Sequence, residues 1–230
     1  KSFKDSFMQT GRLDSEYYQA KYDELIDHIK KANFDKLDNI VNIKKSIEPG
    51  SEAYQDSGIP FIRVSNVTKF GISDTDIYLS RNILKEEELQ KLYPTKDTIL
   101  LSKDGTVGIA YKIKNETEMI TSGALLHLMI KRGDVLPEYL TLVLNSLIVQ
   151  LQAQRDAGGS IIQHWKPSEI QEILIPIIDI SVQKQIEEKI KKSFLLKEES
   201  KQLLDLAKKA VEIAIEEDEN KAMEFINAQI

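Results

Sequence analysis

The stretch TILLSKDGTVGIAYKI, residues 98–113, decides the fold. Apolar flanks enclose a polar centre, and the pattern reads strand, turn, strand. The centre holds Lys103, Asp104, Gly105, Thr106 and Gly108. A hairpin needs only two residues such as Asp104-Gly105 to reverse. The surplus of polar and glycine chemistry asks whether this chain catalyses, binds or props.

Outward from the hairpin, alternation continues. GIPFIRVSNVTKFGI, residues 58–72, places Phe61, Val64 and Val67 between Arg63, Ser65 and Asn66, so a strand is predicted there within a strand-and-turn region over 37–80. LKEEELQKLY, residues 84–93, predicts a short helix closed by Pro94. Residues 124–130 are apolar on both faces and predict a buried strand. Residues 138–154, entered at Pro137, predict one helix covered on several sides and ended by Gly158-Gly159-Ser160. After it come a strand, a short helix near Pro167-Ser168 and a last strand over 173–177. On the N-terminal side, residues 15–32 predict a helix capped by Ser15, with Tyr18, Tyr22, Leu25 and Ile29 on one face.

The last fifty residues differ. From Ser181 to about Glu217 there is neither Gly nor Pro. Val182, Ile186, Ile190, Phe194, Leu203, Ala207, Ala210 and Ala214 mark a narrow apolar seam. An unbroken helix here would run roughly 55 Å at 1.5 Å per residue. A lone helix gains little without a partner face, so pairing is expected with the 15–32 helix, another subunit or both. EEDEN, residues 216–220, reads as a charged break.

Composition narrows the classes. The chain has 230 residues, 41% of them hydrophobic, enough for a packed core. It has no cysteine, which excludes structural disulfides and thiolate metal sites. No apolar run approaches the ~18 residues of a membrane span, and the polar first residues carry no signal peptide; a cytoplasmic location is expected. The chain begins at Lys1, which fits a piece of something longer. Net charge is −6, unfavourable for binding nucleic acid. The charge is uneven, however: residues 60–132 hold eleven Lys and Arg against nine acids.

Catalytic and metal signatures are missing. There is no phosphate-binding GxxxxGK[ST], no HExxH and no GxSxG. His28, His127 and His164 fall on three different elements, and each reads as a surface or core histidine. The Asn or Asp, Pro-Pro, aromatic signature of an adenine methyltransferase does not occur. Glu86, Glu87 and Glu88 read as a solvated helix face.

Four segments, in order, carry a resemblance: GIPFIRVSNV (58–67), DTILLSKDGTVGIAY (97–111), GGSIIQHWKPSEIQEILIPI (158–177) and SVQKQIEEKI (181–190). They resemble the DNA specificity subunits of type I restriction–modification systems. Those chains read G-x-P-F-I-R-x-x-(D/N)-(I/V), then D-(I/V)-L-(L/I)-S-x-(D/x)-G-x-(I/V)-G, then I-P-x-P-x-x-x-Q-x-x-I. RLDSEYY, residues 12–18, resembles the lead-in to a recognition domain. The likeness covers roughly residues 12–210. One departure is Ile175-Pro176-Ile177-Ile178, where the family has Pro-x-Pro.

The resemblance implies an α+β chain. A helical lead-in (1–36) would precede a mostly β target recognition domain with short helices (37–180). A long coiled-coil-type helix would follow as spacer and dimerisation region (181–230). Full members carry two such domains and two helices, so this chain fits a half-subunit or the recognition part of a methyltransferase fusion. It would read half of a split site on double-stranded DNA without being an enzyme. An adenine DNA methyltransferase subunit would carry S-adenosylmethionine, this chain would bind no cofactor or metal, and a restriction subunit is a further expected partner.

DNA contact residues then follow by chemistry. Lys103 and Thr106 are candidate side-chain donors, and Gly105 and Gly108 either bring backbone amides to a phosphate or serve the turn alone. Arg63 and Asn66 suit guanine and adenine edges, with Ser65 between them. Ser160, Gln163, His164 and Lys166 surround Trp165, and Lys69 and Lys112 are phosphate candidates. Solvated strand faces, ordinary loops and a core Trp165 stay open as plainer readings. Self-association would use Val182, Ile186, Ile190, Phe194, Leu203 and Ala207. Two rival functions remain: a helical interaction scaffold that reads no DNA, and a free-standing enzyme.

Overall fold

A computed structural model describes residues 3–158 and 163–228. It forms two compact units, Lys1–Lys184 and Gln185–Ile230. In chain order the first holds α1 (Phe3–Thr10), α2 (Ala20–Ile29), β1 (Phe34–Lys36), α3 (Leu37–Ile40), β2 (Val41–Lys45), β3 (Tyr54–Gln55), β4 (Ile59–Ile62), β5 (Val67–Thr68), β6 (Gly71–Ile72), β7 (Tyr78–Leu79), α4 (Glu86–Leu92) and β8 (Ile99–Ser102). There follow β9 (Ala110–Lys112), β10 (Ile120–Thr121), β11 (Leu125–Ile130), α5 (Pro137–Leu144), α6 (Leu147–Ala157), α7 (Pro167–Gln171) and β12 (Leu174–Pro176). The long α8 (Ile180–Glu216) starts in this unit, and α9 (Glu219–Asn227) lies in the second.

The quoted hairpin is β8–β9, antiparallel with Leu100 opposite Tyr111. It belongs to a four-stranded antiparallel sheet ordered β2-β11-β8-β9. The central β11 has the apolar run a doubly covered strand needs, and residues 125–128 are all buried. A second four-stranded sheet is ordered β10-β4-β7-β3, with β10 parallel to β4. Ile59, Phe61, Leu79, Leu89, Leu92 and Ile120 form its apolar cluster, which α4 covers. A third pairing, β1 with β12, joins segments about 140 positions apart and closes the unit.

Three elements depart from the sequence reading. The helix predicted over 15–32 begins as a 3-10 turn, Ser15–Tyr18, and only then becomes α2. The Tyr17 ring sits between the guanidinium groups of Arg12 and Arg155, 4.6 and 4.5 Å from its centroid, and the Tyr18 hydroxyl donates to Arg12 O at 3.0 Å. These contacts hold the tighter turn. The buried Tyr22 and Ile29 of α2 face α6 and β12.

The helix predicted over 138–154 is broken into α5 and α6. Asn145 interrupts it because its carboxamide serves β9 instead: Oδ1 accepts the Ala110 N–H at 3.1 Å, and Nδ2 donates to Ala110 O at 2.8 Å. The strand predicted through residues 58–72 stops at Ile62 and turns as a 3-10 helix, Val64–Asn66. Asn66 drives this by accepting the Arg63 N–H at 3.0 Å and donating to Asp74 O at 3.0 Å.

The long helix is continuous for 37 residues. Asp179 starts it, with Oδ1 accepting the Ser181 N–H at 2.8 Å. Its first turn is tied in by the fully buried Gln183. Gln183 Oε1 accepts the Leu136 N–H at 2.9 Å, and Nε2 donates to Asp134 O and Ile178 O, both at 2.8 Å. Gln183→Ala removes those three part-buried hydrogen bonds and is expected to cost about 1–3 kcal/mol. Urea unfolding measures this; an unchanged midpoint would dismiss it. In the second unit the charged break falls where expected. Asp218 Oδ1 accepts the Lys221 N–H at 2.9 Å and caps α9. Ala210 and Ala222 are buried, and Lys209 Nζ lies 5.4 Å from the Phe225 ring centroid.

Candidate nucleic-acid interface

Ser102, the last residue of β8, organises the turn from a fully buried position. Its Oγ donates to Thr106 O at 2.6 Å and accepts the Ile109 N–H at 2.9 Å. Gly105 and Gly108 have φ of +72° and +85°, where an L side chain is strained. A Cβ at Gly108 would also sit 2.8 Å from the Gln150 side chain, whereas Gly105 faces open space. Both glycine amides are occupied internally: Gly108 N–H donates to Ser102 O at 2.9 Å, and Gly105 N–H to Gln163 O at 3.0 Å. Turn geometry and a tertiary link therefore account for them.

That link explains the length of the turn. Trp165 N–H donates to Lys103 O at 2.7 Å, and Asp104 and His164 form a β-bridge. Residues 103–105 and 163–165 are thus stitched edge to edge. The Asp104 carboxylate is bonded on one side by Lys103 Nζ and on the other by His164 Nδ1. The Trp165 ring anchors the strip from below, with no exposed surface. Two of the sequence-predicted groups, separated by sixty positions, are brought together here: Lys103, Gly105 and Thr106 with Gln163, His164 and Lys166. Lys103 is 8% exposed, while Thr106, His164 and Lys166 are exposed. Lys166 Nζ lies 3.6 Å from Glu169, a loose contact. Ser160 lies outside the described residues.

The other candidates separate. Lys112 is enclosed between Asp97 at 2.7 Å and Glu138 at 3.1 Å, and its ammonium is taken up in that pair. Asn66 is buried and its carboxamide is consumed by the turn described above. Arg63 is half-buried, 3.8 Å from Asp76, and its Nε finds no hydrogen-bond partner among the described residues. Ser65 and Lys69 are exposed. On α8, Val182 and Leu203 are 43% and 59% exposed. Ile186, Ile190 and Phe194 are half-buried, and Ala207 is exposed.

Sequence reasoning gave Arg12 and Asp104 no place among the site residues. Arg12 makes a two-pronged pair with Asp14, Nε and Nη2 each at 2.8 Å. It also donates to Asp156 O at 2.8 Å and Gly158 O at 3.0 Å, at the end of α6. A cation suits those C-terminal carbonyls. The signal was the RLDSEYY lead-in, but its target lies more than 140 positions away. Asp156 itself is a partly buried carboxyl pushed up to about 6, first by burial and then by Glu169, against the Trp165 indole N–H that donates to it at 3.4 Å. Among the described residues no group of three or more His, Asp or Glu side chains could hold a metal ion. No described helix is long and apolar enough to cross a membrane.

No match is found among curated proteins. Among solved structures, the chain is similar to the S subunit of a type I restriction–modification system from M. genitalium, with TM-score 0.55 and 14% identity. The match covers 80% of this chain and 44% of that one. It is also similar to a chain from a structural study of complex assembly and conformational transition of the type I R-M system, with TM-score 0.52 and 16% identity over 88% of this chain and 57% of that one. The type IIG restriction endonuclease BpuSI matches at TM-score 0.52 and 15% identity, over 75% of this chain and 28% of that one. These likenesses show a shared fold, and the chain spans about half or less of the length of most of those structures. The sequence itself matches the type I restriction modification DNA specificity domain over residues 28–206, which takes in the hairpin, the stitched strip and most of the long helix. The chain belongs to that family.

Proposed function

We propose that this chain reads one half of a split DNA site for a type I-like restriction–modification methyltransferase. Residues 37–180 act as the recognition domain, after a helical lead-in over 1–36, and residues 181–230 act as the spacer. The family match supports the class of activity. The observation that carries the site is the stitching of residues 103–105 to 163–165, which joins two polar segments into one surface. On it, Lys166 and Thr106 take phosphate, Gln163 reads a base edge, and Lys103 joins in by leaving Asp104. The chain performs no catalytic step and holds no cofactor. Methyl transfer from S-adenosylmethionine belongs to an adenine methyltransferase subunit, a restriction subunit completes the system, and the setting is the cytoplasm.

The net charge of −6 makes DNA affinity weak and steeply salt-dependent without that subunit. Duplexes selected from a random pool by the chain with its methyltransferase are to be measured by fluorescence anisotropy. Lys166→Ala is expected to weaken binding to every sequence alike and to lower the salt slope by about one. Gln163→Ala is expected to relax preference at one position, by about 1–3 kcal/mol of discrimination. Absence of any preference among duplex sequences would refute the reading.

A scaffold reading draws on the apolar side chains of α8, where Leu195, Leu203 and Val211 are 72%, 59% and 59% exposed. Pairing with another helix through Val182, Ile186, Ile190, Phe194, Leu203 and Ala207 belongs to both readings. The scaffold alone requires Arg63→Ala and Lys103→Ala to leave activity intact while removal of residues 181–230 abolishes it.

A further inference from the structure

β5 and β6 form a two-stranded ribbon that reverses at Lys69 and Phe70. Neither residue adopts positive φ. The Thr68 hydroxyl holds the tip instead, donating to Gly71 O at 3.0 Å and accepting the Phe70 N–H at 3.2 Å. The ribbon has a firm root. Val67 is buried in a cluster with Leu100, Ile113 and Leu125, and Ile72, Ile109 and Tyr111 pack against it. The β8–β9 hairpin that bears the stitched turn therefore shares its core with the ribbon. At the apex, Phe70 is 54% exposed, and Lys69 Nζ lies 5.1 Å from its ring centroid. A large apolar ring is thus fixed on a braced tip beside a cation.

We propose that Phe70 is a stacking wedge: its ring inserts at a base step of the bound duplex, and Lys69 contacts the adjoining phosphate. The inference rests on the DNA-reading function above. A two-stranded ribbon fits a DNA groove. Apolar wedges unstack and kink the duplex, and aromatic faces stack on any base.

The test uses the full chain with its methyltransferase and the selected duplex, with the fluorescent adenine analogue 2-aminopurine placed at each step in turn. Wild type is expected to raise the fluorescence at one step besides the adenine that the methyltransferase flips out. Phe70→Ala should abolish that rise and weaken binding about tenfold or more, the loss of one stacked base. Phe70→Trp should retain both, and Phe70→Leu, which keeps apolar bulk without an aromatic face, should lose the affinity. The exposed position makes all three variants compatible with the fold, which circular dichroism checks. Unchanged affinity and fluorescence in Phe70→Ala overturn the wedge while the DNA-reading function stands. Normal DNA binding with loss of the methyltransferase assigns the tip to a protein contact and also overturns it. No sequence preference by wild type removes both proposals.

Discussion

Truncating Trp165 to alanine is expected to destabilise the protein by about 3–5 kcal/mol, the range for deleting a buried aromatic. The ring has no exposed surface, and it is the only tryptophan. Its backbone N–H also holds Lys103 O at 2.7 Å, so the cavity opens beneath the strip that joins the two polar segments. Trp165→Phe keeps most of the volume and should lose less. Urea unfolding followed by circular dichroism reads the difference, since the substitution removes the fluorophore. DNA preference should vanish in Trp165→Ala even under conditions where the chain remains folded. A midpoint within about 0.5 kcal/mol of wild type, the scatter of ordinary surface changes, would mean the ring is not the anchor described.

The second large effect is a pair of opposed pH dependences. Burial, helped by nearby Lys44, lowers His127 to about 4, and its Nε2 lies 2.8 Å from Thr121 Oγ1. The folded chain therefore binds fewer protons there than the unfolded chain does. Stability from His127 is full above pH ~6.5 and is lost as pH falls toward 4, by up to about 3 kcal/mol. Asp156 works in the other direction. Its pKa is raised to about 6, so its contribution is full below pH ~3.8 and is lost as pH rises through 6. The two slopes nearly offset between pH 4 and 6. Asp156→Asn should expose the His127 slope, with stability falling on acidification. His127→Gln should expose the opposite slope. Unfolding midpoints at pH 4.5, 5.5 and 7 decide the matter; parallel pH profiles for wild type and both variants would refute it.

Much of the fold is legible because local chemistry and tertiary need agree there. The β8–β9 hairpin, the doubly covered β11, the α4 helix closed at Pro94 and the long α8 each carry their own period and end signals. The misreadings share one cause. Asn145 and Asn66 look like ordinary polar residues within apolar runs, and each breaks its element because backbone groups outside it claim its carboxamide, Ala110 for Asn145, and Arg63 and Asp74 for Asn66. Arg12 and Tyr17 likewise take their conformation from Arg155, Asp156 and Gly158, far along the chain.

The candidate site divides in the same way. The residue types of the proposed DNA-reading surface, and the segments that hold them, are written in the sequence: lysines, a glutamine, a histidine and hydroxyls around two glycines and one tryptophan. The order of those segments carries the resemblance, and the match over residues 28–206 shows the family. Only the tertiary structure decided which of those groups meet. It turned Lys112 into an internal ion pair, spent the amides of Gly105 and Gly108 on the chain itself, and set residues 163–165 against 103–105. The physical reason is that a side chain's chemistry is local, whereas the partner that uses up a hydrogen bond or a charge comes from wherever the fold brings the chain back.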